Sequence, residues 1–319
     1  MKRVAITGAA GFVGANLTRR LLNDGHDIHL LVRPDHALWR IDDIGSDVRI
    51  HAADLGDRPS VEDAIRRIKP DWVFHLAAHG AYSWQIDLPE IVRTNIVGTM
   101  NLVEAAAAAG VEVLVNTGSS SEYGYKDHAP PENELLEPNS HYAISKATAT
   151  MFCRFTAHKC GIRMPTLRLY SVYGPYEEPR RLVPTLVVRG LQSCLPPLAN
   201  PDTARDYVYV ADVVDAYVLA ATTDVPDAGA VFNVGTGIQT TLRDIVDVTR
   251  EMLGVTETPS WGSLPDRSWD TTIWRADPTR IRTELGWQPR YDVREGLAET
   301  VDWFRANPSL REHYVRRIS

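Results

Sequence analysis

Short apolar runs alternate with stretches of helical periodicity through the first half of this chain. The apolar runs, rich in β-branched residues, lie at about 4–7, 28–32, 48–52, 72–76, 111–116 and 165–170. Helical patterns separate them, and the longest cover about 88–109 and 140–160. Strands that are apolar on both faces and joined through helices form a parallel sheet covered by helices on both sides. The pattern therefore predicts an α/β fold built on a doubly wound parallel sheet.

The second half is less regular, with Pro and Gly clustered between residues 173 and 201. Short helical patterns follow at about 182–190, 210–222, 241–253 and 293–305. A length of 319 residues suits two structural units at roughly 100–200 residues each. We predict one unit over 1–170 and a smaller carboxy-terminal α/β unit over 171–319, with the segment at about 206–235 returning to the main sheet. The tryptophans expected to pack the second unit are Trp261, Trp269, Trp274 and Trp287.

Charge and cysteine content exclude several classes of protein. The chain has 34 Lys and Arg against 41 Asp and Glu, a net charge of −7 without a basic block, so we expect no nucleic-acid partner. No apolar run approaches the roughly 18 residues of a membrane-spanning helix, and we expect no membrane partner. Glycines interrupt the apolar amino terminus, which disfavours a signal peptide. Cys153, Cys160 and Cys194 form no CxxC pair and are typical of reduced thiols, which predicts a cytoplasmic protein.

A glycine-rich loop joins the first predicted strand to the first helix. Gly8, Gly11 and Gly14 allow a tight turn and a close approach to a pyrophosphate, and the helix that begins at Phe12 and Val13 supplies free N–H groups and a positive dipole end. The spacing is GxxGxxG rather than the standard GxGxxG, so a turn with tight helix packing is the alternative. Its position after the first strand favours a dinucleotide site.

The end of the second strand bears on which nicotinamide cofactor binds. An acidic residue there accepts the ribose 2′-hydroxyl of NAD, whereas a cation favours the 2′-phosphate of NADP. This strand ends in Arg33 without a carboxylate, which favours NADP and leaves NAD possible; the alternative is a solvated surface cation. Asp54, after the third strand, is suited either to bind the adenine amino group or to cap a helix.

A tyrosine and a lysine lie one helical turn apart in the sequence Tyr142-Ala-Ile-Ser-Lys146. A nearby ammonium stabilises phenolate, so Tyr142 is a candidate acid/base nearer neutral pH than a free phenol of pKa about 10. The pair follows a serine cluster, Ser119 to Ser121, at the predicted carboxyl end of a strand. Ligands of open parallel sheets bind beyond those ends. This order favours a proton-transfer site.

At these residues the chain resembles the extended short-chain dehydrogenases/reductases, in particular the nucleotide-sugar epimerase/dehydratase/reductase family. The resemblance implies a Rossmann-like domain that holds the cofactor and a carboxy-terminal domain that holds a nucleoside-diphosphate sugar. The matching segments, in family order, are TGAAGFVG (7–14), DL (54–55), HLAA (75–78), TNIVGT (94–99), GSSSEYG (118–124), YAISK (142–146), LRLYSVYGP (167–175), RDYVYVADVVDA (205–216) and NVGTG (233–237).

The resemblance also implies roles for individual residues. Tyr142 is the general acid/base, Lys146 binds the nicotinamide ribose and lowers the pKa of the tyrosine, and the catalytic hydroxyl falls on Ser119, with Ser120 next to it. Residues implied at the cofactor are Gly8, Gly11, Phe12, Val13, Gly14, Arg33, Asp54, Leu55, Ala77, Asn95, Tyr142 and Lys146. Residues implied at the sugar nucleotide are Ser120, Ser121, Ser171, Arg180 and Arg205, the last at the diphosphate.

Two departures from the family pattern reduce the number of family activities that fit this chain. Sugar 4,6-dehydratases need an acidic residue where this chain has Ser120 and Ser121, and Glu122 comes one position later, so dehydration is disfavoured unless the loop shifts by one residue. Many members carry Asn at the position of Ser171, which puts that diphosphate contact in doubt. Arg180 or Arg181 is a candidate to replace it.

The expected activity is NAD(P)-dependent hydride transfer at C4 of a nucleoside-diphosphate sugar. A 4-ketoreductase that consumes NADPH fits Arg33 and is placed first; the alternative is a 4-epimerase with tightly bound NAD. A 4,6-dehydratase, a small-carbonyl reductase and a non-catalytic cofactor-binding protein are placed lower. His75 and His79 flank a strand end, and no metal site is expected. The family often forms homodimers through two long helices, here about 88–109 and 140–160.

Overall fold

The computed structural model describes residues 1–264 and 273–318; Trp269, one of the tryptophans predicted to pack, lies outside them. Seven strands form one parallel sheet in the order β10-β6-β5-β4-β1-β2-β3. The strands are β1 (Arg3–Thr7), β2 (Asp27–Val32), β3 (Arg49–Ala52), β4 (Trp72–His75), β5 (Val113–Ser119), β6 (Thr166–Leu169) and β10 (Val231–Val234). The predicted doubly wound fold is confirmed.

Helices cover both faces of this sheet. One apolar core joins it to α1 (Phe12–Asn23) and α7 (Val210–Thr222), and the other joins it to α2 (Arg58–Ile68), α4 (Gly98–Ala109) and α5 (His141–Cys160). Helix α5 begins where the Ser140 side chain accepts a hydrogen bond from the Ala143 main-chain N–H, and it ends at Gly161, which takes a positive φ of 67°.

The predicted helix at 88–109 is not uniform. A short α-helix, α3 (Leu88–Ile91), leads into a π-helical segment (Val92–Val97), and α4 follows without a break. π-helical turns are frequent at functional sites because they re-aim a side chain within a continuous helix. Here the segment carries the buried Asn95.

The remaining elements come from the second half. Two strand pairs, β7 (Ser171–Tyr173) with β9 (Tyr207–Tyr209) and β8 (Ala204–Arg205) with β11 (Thr240–Thr241), lie outside the main sheet. Strand β10, which belongs to the segment 206–235, pairs with β6 in the main sheet. Among the predicted tryptophans, Trp287 is buried in the core that includes α1 and α7. The other helices are α6 (Leu182–Gly190), α8 (Leu242–Leu253), α9 (Thr279–Leu285), α10 (Val293–Ala306) and α11 (Pro308–Ile318).

Candidate active site

The glycine loop lies at the carboxyl end of β1 and has no room for side chains. At Gly8, whose φ is +71°, a Cβ would lie 2.5 Å from the Ala77 main-chain nitrogen. At Gly14 it would lie 2.2 Å from the Gly8 carbonyl oxygen. Gly11 caps α1 without a side-chain hydrogen bond, so the first N–H groups of the helix are left for a ligand. The close backbone and the free N–H groups fit a pyrophosphate; that one binds here stays a prediction.

Hydroxyl groups occupy both ring nitrogens of His75, which lies beside the loop. His75 is 1% exposed; its Nδ1 lies 2.7 Å from the Thr7 hydroxyl and its Nε2 lies 2.8 Å from the Thr99 hydroxyl. Burial lowers the pKa of His75 to about 3, which keeps the ring neutral. No group of three or more His, Cys, Asp or Glu that could hold a metal occurs within residues 1–264 and 273–318.

The two residues expected at the adenosine end are both in ion pairs. Arg33 donates to Glu90 at 2.6 Å from its Nη1 to the carboxylate, and its side chain is 48% exposed. Asp54 accepts from Arg93 at 2.7 Å and from the Gly56 main chain at 2.9 Å. Glu90 therefore offsets the positive charge that favoured NADP, a partner that the sequence alone did not identify.

Asn95 is buried among protein partners. Its side-chain amide donates to the His79 carbonyl at 2.7 Å and to the Ser145 hydroxyl at 2.9 Å, and its carbonyl accepts from the His79 main chain at 2.8 Å. These bonds connect the π-helical segment, the loop after β4 and α5. Asn95 thus holds the loop beside Tyr142 and Lys146.

Ser119 and Tyr142 meet at the junction of β5 and α5. Burial raises the pKa of Tyr142 to about 12, and a hydrogen bond with the Ser119 side chain and the charge of Arg181 act in the opposite direction. The Ser119 hydroxyl also lies 2.7 Å from the Ser121 hydroxyl. Oxygen atoms of a phenol and two serines therefore converge at one point, beyond the carboxyl end of a central strand.

Lys146 lies one turn further along α5 and is 3% exposed. Burial lowers the pKa of its ammonium, and Glu122 raises it. A buried ammonium one helical turn after Tyr142 is a donor that fits the ribose hydroxyls of a dinucleotide. The expectation that the pKa of Tyr142 lies below that of a free phenol is wrong in this structure, because burial outweighs the groups that lower it. That Lys146 lowers the pKa of Tyr142 stays a prediction.

Glu122 is buried and bonded to protein groups on both of its carboxylate oxygens. It is 0% exposed, and its carboxylate accepts from Arg168 at 2.9 Å and from the Ser119 main chain at 2.8 Å. The structure therefore does not shift this loop to place Glu122 where a dehydratase has its acid. Ser120 and Ser121 occupy those positions.

The arginines expected at the sugar nucleotide lie on different segments of the second half. The guanidinium of Arg180 stacks on Trp84 at 5.1 Å from the ring centroid, and that of Arg205 on Trp274 at 5.1 Å. Arg181, offered as a substitute contact, lies 3.5 Å from Glu177. Ser171 starts β7, where its main-chain N–H donates to the Asp206 carbonyl at 3.0 Å.

Sequence reasoning missed an aromatic pair over the site. Tyr82 and Trp84 stack with ring centroids 4.9 Å apart, on the loop after β4. The same loop approaches Tyr142, because a Cβ on Gly80 would lie 3.3 Å from Cδ2 of that residue. The signal was present as two aromatic residues in the loop that follows the carboxyl end of β4, which is His75.

A pyrophosphate cradle, a buried ammonium and a phenol paired with a serine define a dinucleotide-dependent enzyme of the short-chain dehydrogenase/reductase class. The chain matches the model of the NAD dependent epimerase/dehydratase family over residues 4–235. It belongs to this family and is an extended short-chain dehydrogenase/reductase.

Known relatives match the whole chain. The UDP-glucose 4-epimerase of Mycolicibacterium smegmatis is 33% identical, with 95% of this chain and 98% of the relative covered. The dTDP-glucose 4,6-dehydratase of Streptomyces griseus is 32% identical, covering 97% and 96%. Among solved structures, the UDP-glucose 4-epimerase of Thermus thermophilus in complex with NAD superposes with a TM-score of 0.85 at 30% identity, covering 95% and 99%. The Thermotoga maritima UDP-glucose 4-epimerase with UDP-glucose gives 0.86 at 28%, covering 96% and 99%.

The described residues contain no helix long and apolar enough to cross a membrane.

Proposed function

We propose that this protein is a nucleotide-sugar 4-epimerase that retains NAD. The observation that carries hydride-transfer chemistry is the hydrogen bond between the Ser119 side chain and the Tyr142 phenol, with the buried Lys146 one helical turn further along α5. A phenol whose proton can be exchanged with a sugar hydroxyl is the group that oxidation and reduction at a C–OH carbon require.

Each residue has a distinct task in this mechanism. When bound, NAD supplies a hydride acceptor and, once reduced, a hydride donor. Tyr142 takes the proton of the C4 hydroxyl during oxidation and returns it during reduction. Ser119 orients the C4 oxygen through its hydroxyl, which is hydrogen-bonded to the Tyr142 phenol. Lys146 binds the nicotinamide ribose and, as a cation, favours the phenolate form of Tyr142.

Phe12, Val13, Leu55 and Ala77 complete the proposed cofactor site. For the substrate we assign the diphosphate to Arg205, with Ser171 and Arg180 or Arg181 as further contacts. Arginine forms bidentate hydrogen bonds with phosphate, which suits a nucleoside diphosphate. Ser120 and Ser121 are assigned to the sugar. In this arrangement residues 1–170 hold the cofactor and residues 171–319 hold the sugar nucleotide.

Two observations support epimerisation over ketoreduction, so we propose the reverse of the sequence-based order. Relatives that match nearly the whole chain include UDP-glucose 4-epimerases, one of them solved with NAD. Glu90 offsets the charge of Arg33. The second candidate is a 4-ketoreductase that uses NADPH, favoured by the absence of a carboxylate at the end of β2 itself. Dehydration is placed below both, because Ser120 and Ser121 stand where that reaction needs an acid.

We further propose a cytoplasmic homodimer formed through the faces of residues 88–109 and 140–160. Apolar side chains stay exposed on these helices. On α5 they are Ile144, Met151 and Phe155, at 47%, 59% and 65% exposure.

The experiment that tests the function identifies the cofactor and the reaction together. Purified protein is denatured, the released dinucleotide is quantified, and native protein is given UDP-glucose without added cofactor. Stoichiometric NAD and formation of the C4 epimer support the proposal.

The second candidate is supported if the protein purifies without a dinucleotide, binds NADPH and reduces a nucleotide-linked 4-keto sugar. Tyr142→Phe is the control, expected to keep its dinucleotide and lose about 10²–10⁴-fold in turnover; an active variant overturns the mechanism.

A further inference from the structure

A buried ion pair lies next to the serine cluster Ser119 to Ser121. Glu122 and Arg168 are 0% and 3% exposed, and Nε of the arginine lies 2.9 Å from the carboxylate. Arg168 also donates to the Tyr123 hydroxyl at 2.8 Å and to the Glu132 carbonyl at 3.2 Å. Because a buried charge without its partner is strongly destabilising, each member of this pair needs the other.

The carboxylate of Glu122 holds two parts of the catalytic site. It accepts from the Ser119 main-chain N–H at 2.8 Å and from the Thr150 hydroxyl at 3.1 Å. Thr150 lies on α5, one turn after Lys146. The same oxygen occupies the space beside Gly118, where a Cβ would lie 2.7 Å from it. Glu122 therefore connects the end of β5 to the helix that carries the catalytic phenol and ammonium.

The charge of Glu122 reaches both of those groups. It raises the pKa of Lys146 against the effect of burial, and it raises the pKa of Tyr142. The other groups that face Tyr142 are Ser119 and Arg181, which lower its pKa, and Tyr82, which raises it. The other titratable groups that interact with Lys146 are Cys153, which raises its pKa, and His75, whose pKa Lys146 lowers. Arg168 is the counter-ion of the Glu122 carboxylate.

We propose that Glu122 is a positioning residue: its carboxylate, anchored by Arg168, fixes Ser119 and α5 in register and supplies the negative charge that faces Lys146. The inference rests on the proposed roles of Tyr142 and Lys146 and adds to them a residue that touches neither substrate nor cofactor. It also explains the polar residue at this buried position, since a carboxylate can serve the Ser119 main chain, Thr150 and Arg168 at once.

The test is the pH profile of kcat/KM in Glu122→Gln. Glutamine keeps an acceptor for the Ser119 main chain but removes the charge and leaves Arg168 uncompensated. The pKa of Tyr142 falls when a negative charge is removed, so the ascending limb for oxidation of the sugar hydroxyl moves to lower pH, by about one unit. The descending limb, set by Lys146, moves in the same direction. A loss of activity with both limbs unmoved overturns the charge role.

Two further variants separate charge from structure. Thr150→Val removes one hydrogen bond to Glu122 without changing any charge, and its limbs should stay at the wild-type pH. Glu122→Gln combined with Arg168→Met removes both charges and keeps the test available if the single variant does not fold; its limbs should lie between wild type and Glu122→Gln. The inference is overturned if the limbs of the pH profile move as far in Thr150→Val as in Glu122→Gln. It is also overturned if the limbs of the double variant lie at the wild-type pH.

Tyr142→Phe is measured in parallel, together with dinucleotide binding by fluorescence. An active Tyr142→Phe contradicts the proposed function itself. An inactive Tyr142→Phe with unmoved limbs in Glu122→Gln contradicts only the role of Glu122.

Discussion

A methyl group at position 14 has no space in this fold. The added Cβ would lie 2.2 Å from the Gly8 carbonyl oxygen and 2.8 Å from Cα of Ala9, both of them main-chain atoms. The loop must therefore move away from the helix, which displaces the N–H groups from the pyrophosphate. We expect Gly14→Ala to weaken NADH binding at least tenfold in a fluorescence titration. Gly45→Ala is the control, because its Cβ would meet the Asp42 carbonyl oxygen at an ordinary 3.4 Å; equal affinities in the two variants would contradict the cradle.

Glu90 is the residue that we expect to set the choice of dinucleotide. Its carboxylate competes with a 2′-phosphate for Arg33, with which it pairs at 2.6 Å. Glu90→Gln should free the guanidinium and raise the affinity for NADPH relative to NADH by about tenfold, or roughly 1.4 kcal/mol. Glu104→Gln, which breaks an exposed ion pair with Arg58 on another surface, should leave this ratio unchanged. An unaltered ratio in Glu90→Gln would identify Arg33 as a simple surface cation.

These residues show how far a sequence specifies a site. The pairing of Tyr142 with Lys146 on one helix face could be predicted from helical spacing. The serine cluster could be predicted because it follows a strand, whereas Ser119 within it came only from the resemblance. The partners of Arg33 and Glu122 could not, since Glu90 and Arg168 lie 57 and 46 residues away along the chain. Such pairs depend on which strands and helices become neighbours, which local periodicity does not encode.

At the scale of elements, the alternation of strands and helices predicted the sheet well because each unit is local. The prediction was weaker where the chain departs from regular geometry. The π-helical segment Val92–Val97 gives no periodic signal of its own, and the two-residue strands β8 and β11 are too short for any pattern. Their positions follow from tertiary contacts such as the bonds of Asn95 to His79 and Ser145.

The exposed apolar face of α5 predicts a contact with a second copy of the chain. Ile144, Met151 and Phe155 recur at helical spacing, and Met100 on α4 is 38% exposed. Covering these side chains with a second copy would remove apolar surface from water. We expect Phe155→Glu to convert a dimer of the 35.6 kDa chain into a monomer, measured by light scattering on a sizing column. Ile50→Glu, a matched change at a 44% exposed residue of β3, should remain dimeric; a wild-type monomer would contradict the proposed interface.

Over the whole molecule, contacts join the two proposed domains at several points. The Arg40 guanidinium, 8% exposed as a residue, donates to the Tyr176 carbonyl at 2.7 Å. Tyr176 holds a φ of +68°, and its ring lies 4.1 Å from the Arg19 guanidinium of α1. Tyr314 of α11 donates to the Glu177 carbonyl at 2.6 Å. The segment after β7 is thus bonded both to the cofactor half and to the last helix.

One apolar core also runs through both halves, from Val4 in β1 to Trp287 and Tyr314 near the carboxyl end. A shared core means that neither half can lose its packing without exposing the apolar surface of the other. We therefore expect a single calorimetric unfolding transition rather than two. Saturating NADH should raise its midpoint by several degrees, since a ligand at 100 times its Kd contributes about 2.7 kcal/mol to the free energy of unfolding.

Tyr314→Phe tests whether the two halves of the chain unfold together, and it removes only one hydroxyl group. The variant loses one buried hydrogen bond to the segment after β7, so its single transition should shift to lower temperature, by the equivalent of about 1 kcal/mol. Leu135→Met, a change of similar size at a 72% exposed position, is the control and should unfold as wild type does. Two resolved transitions in the wild type, of which only the first responds to NADH, would mean that the halves fold independently. The contacts of Arg40 and Tyr314 would then be surface contacts between two separate cores.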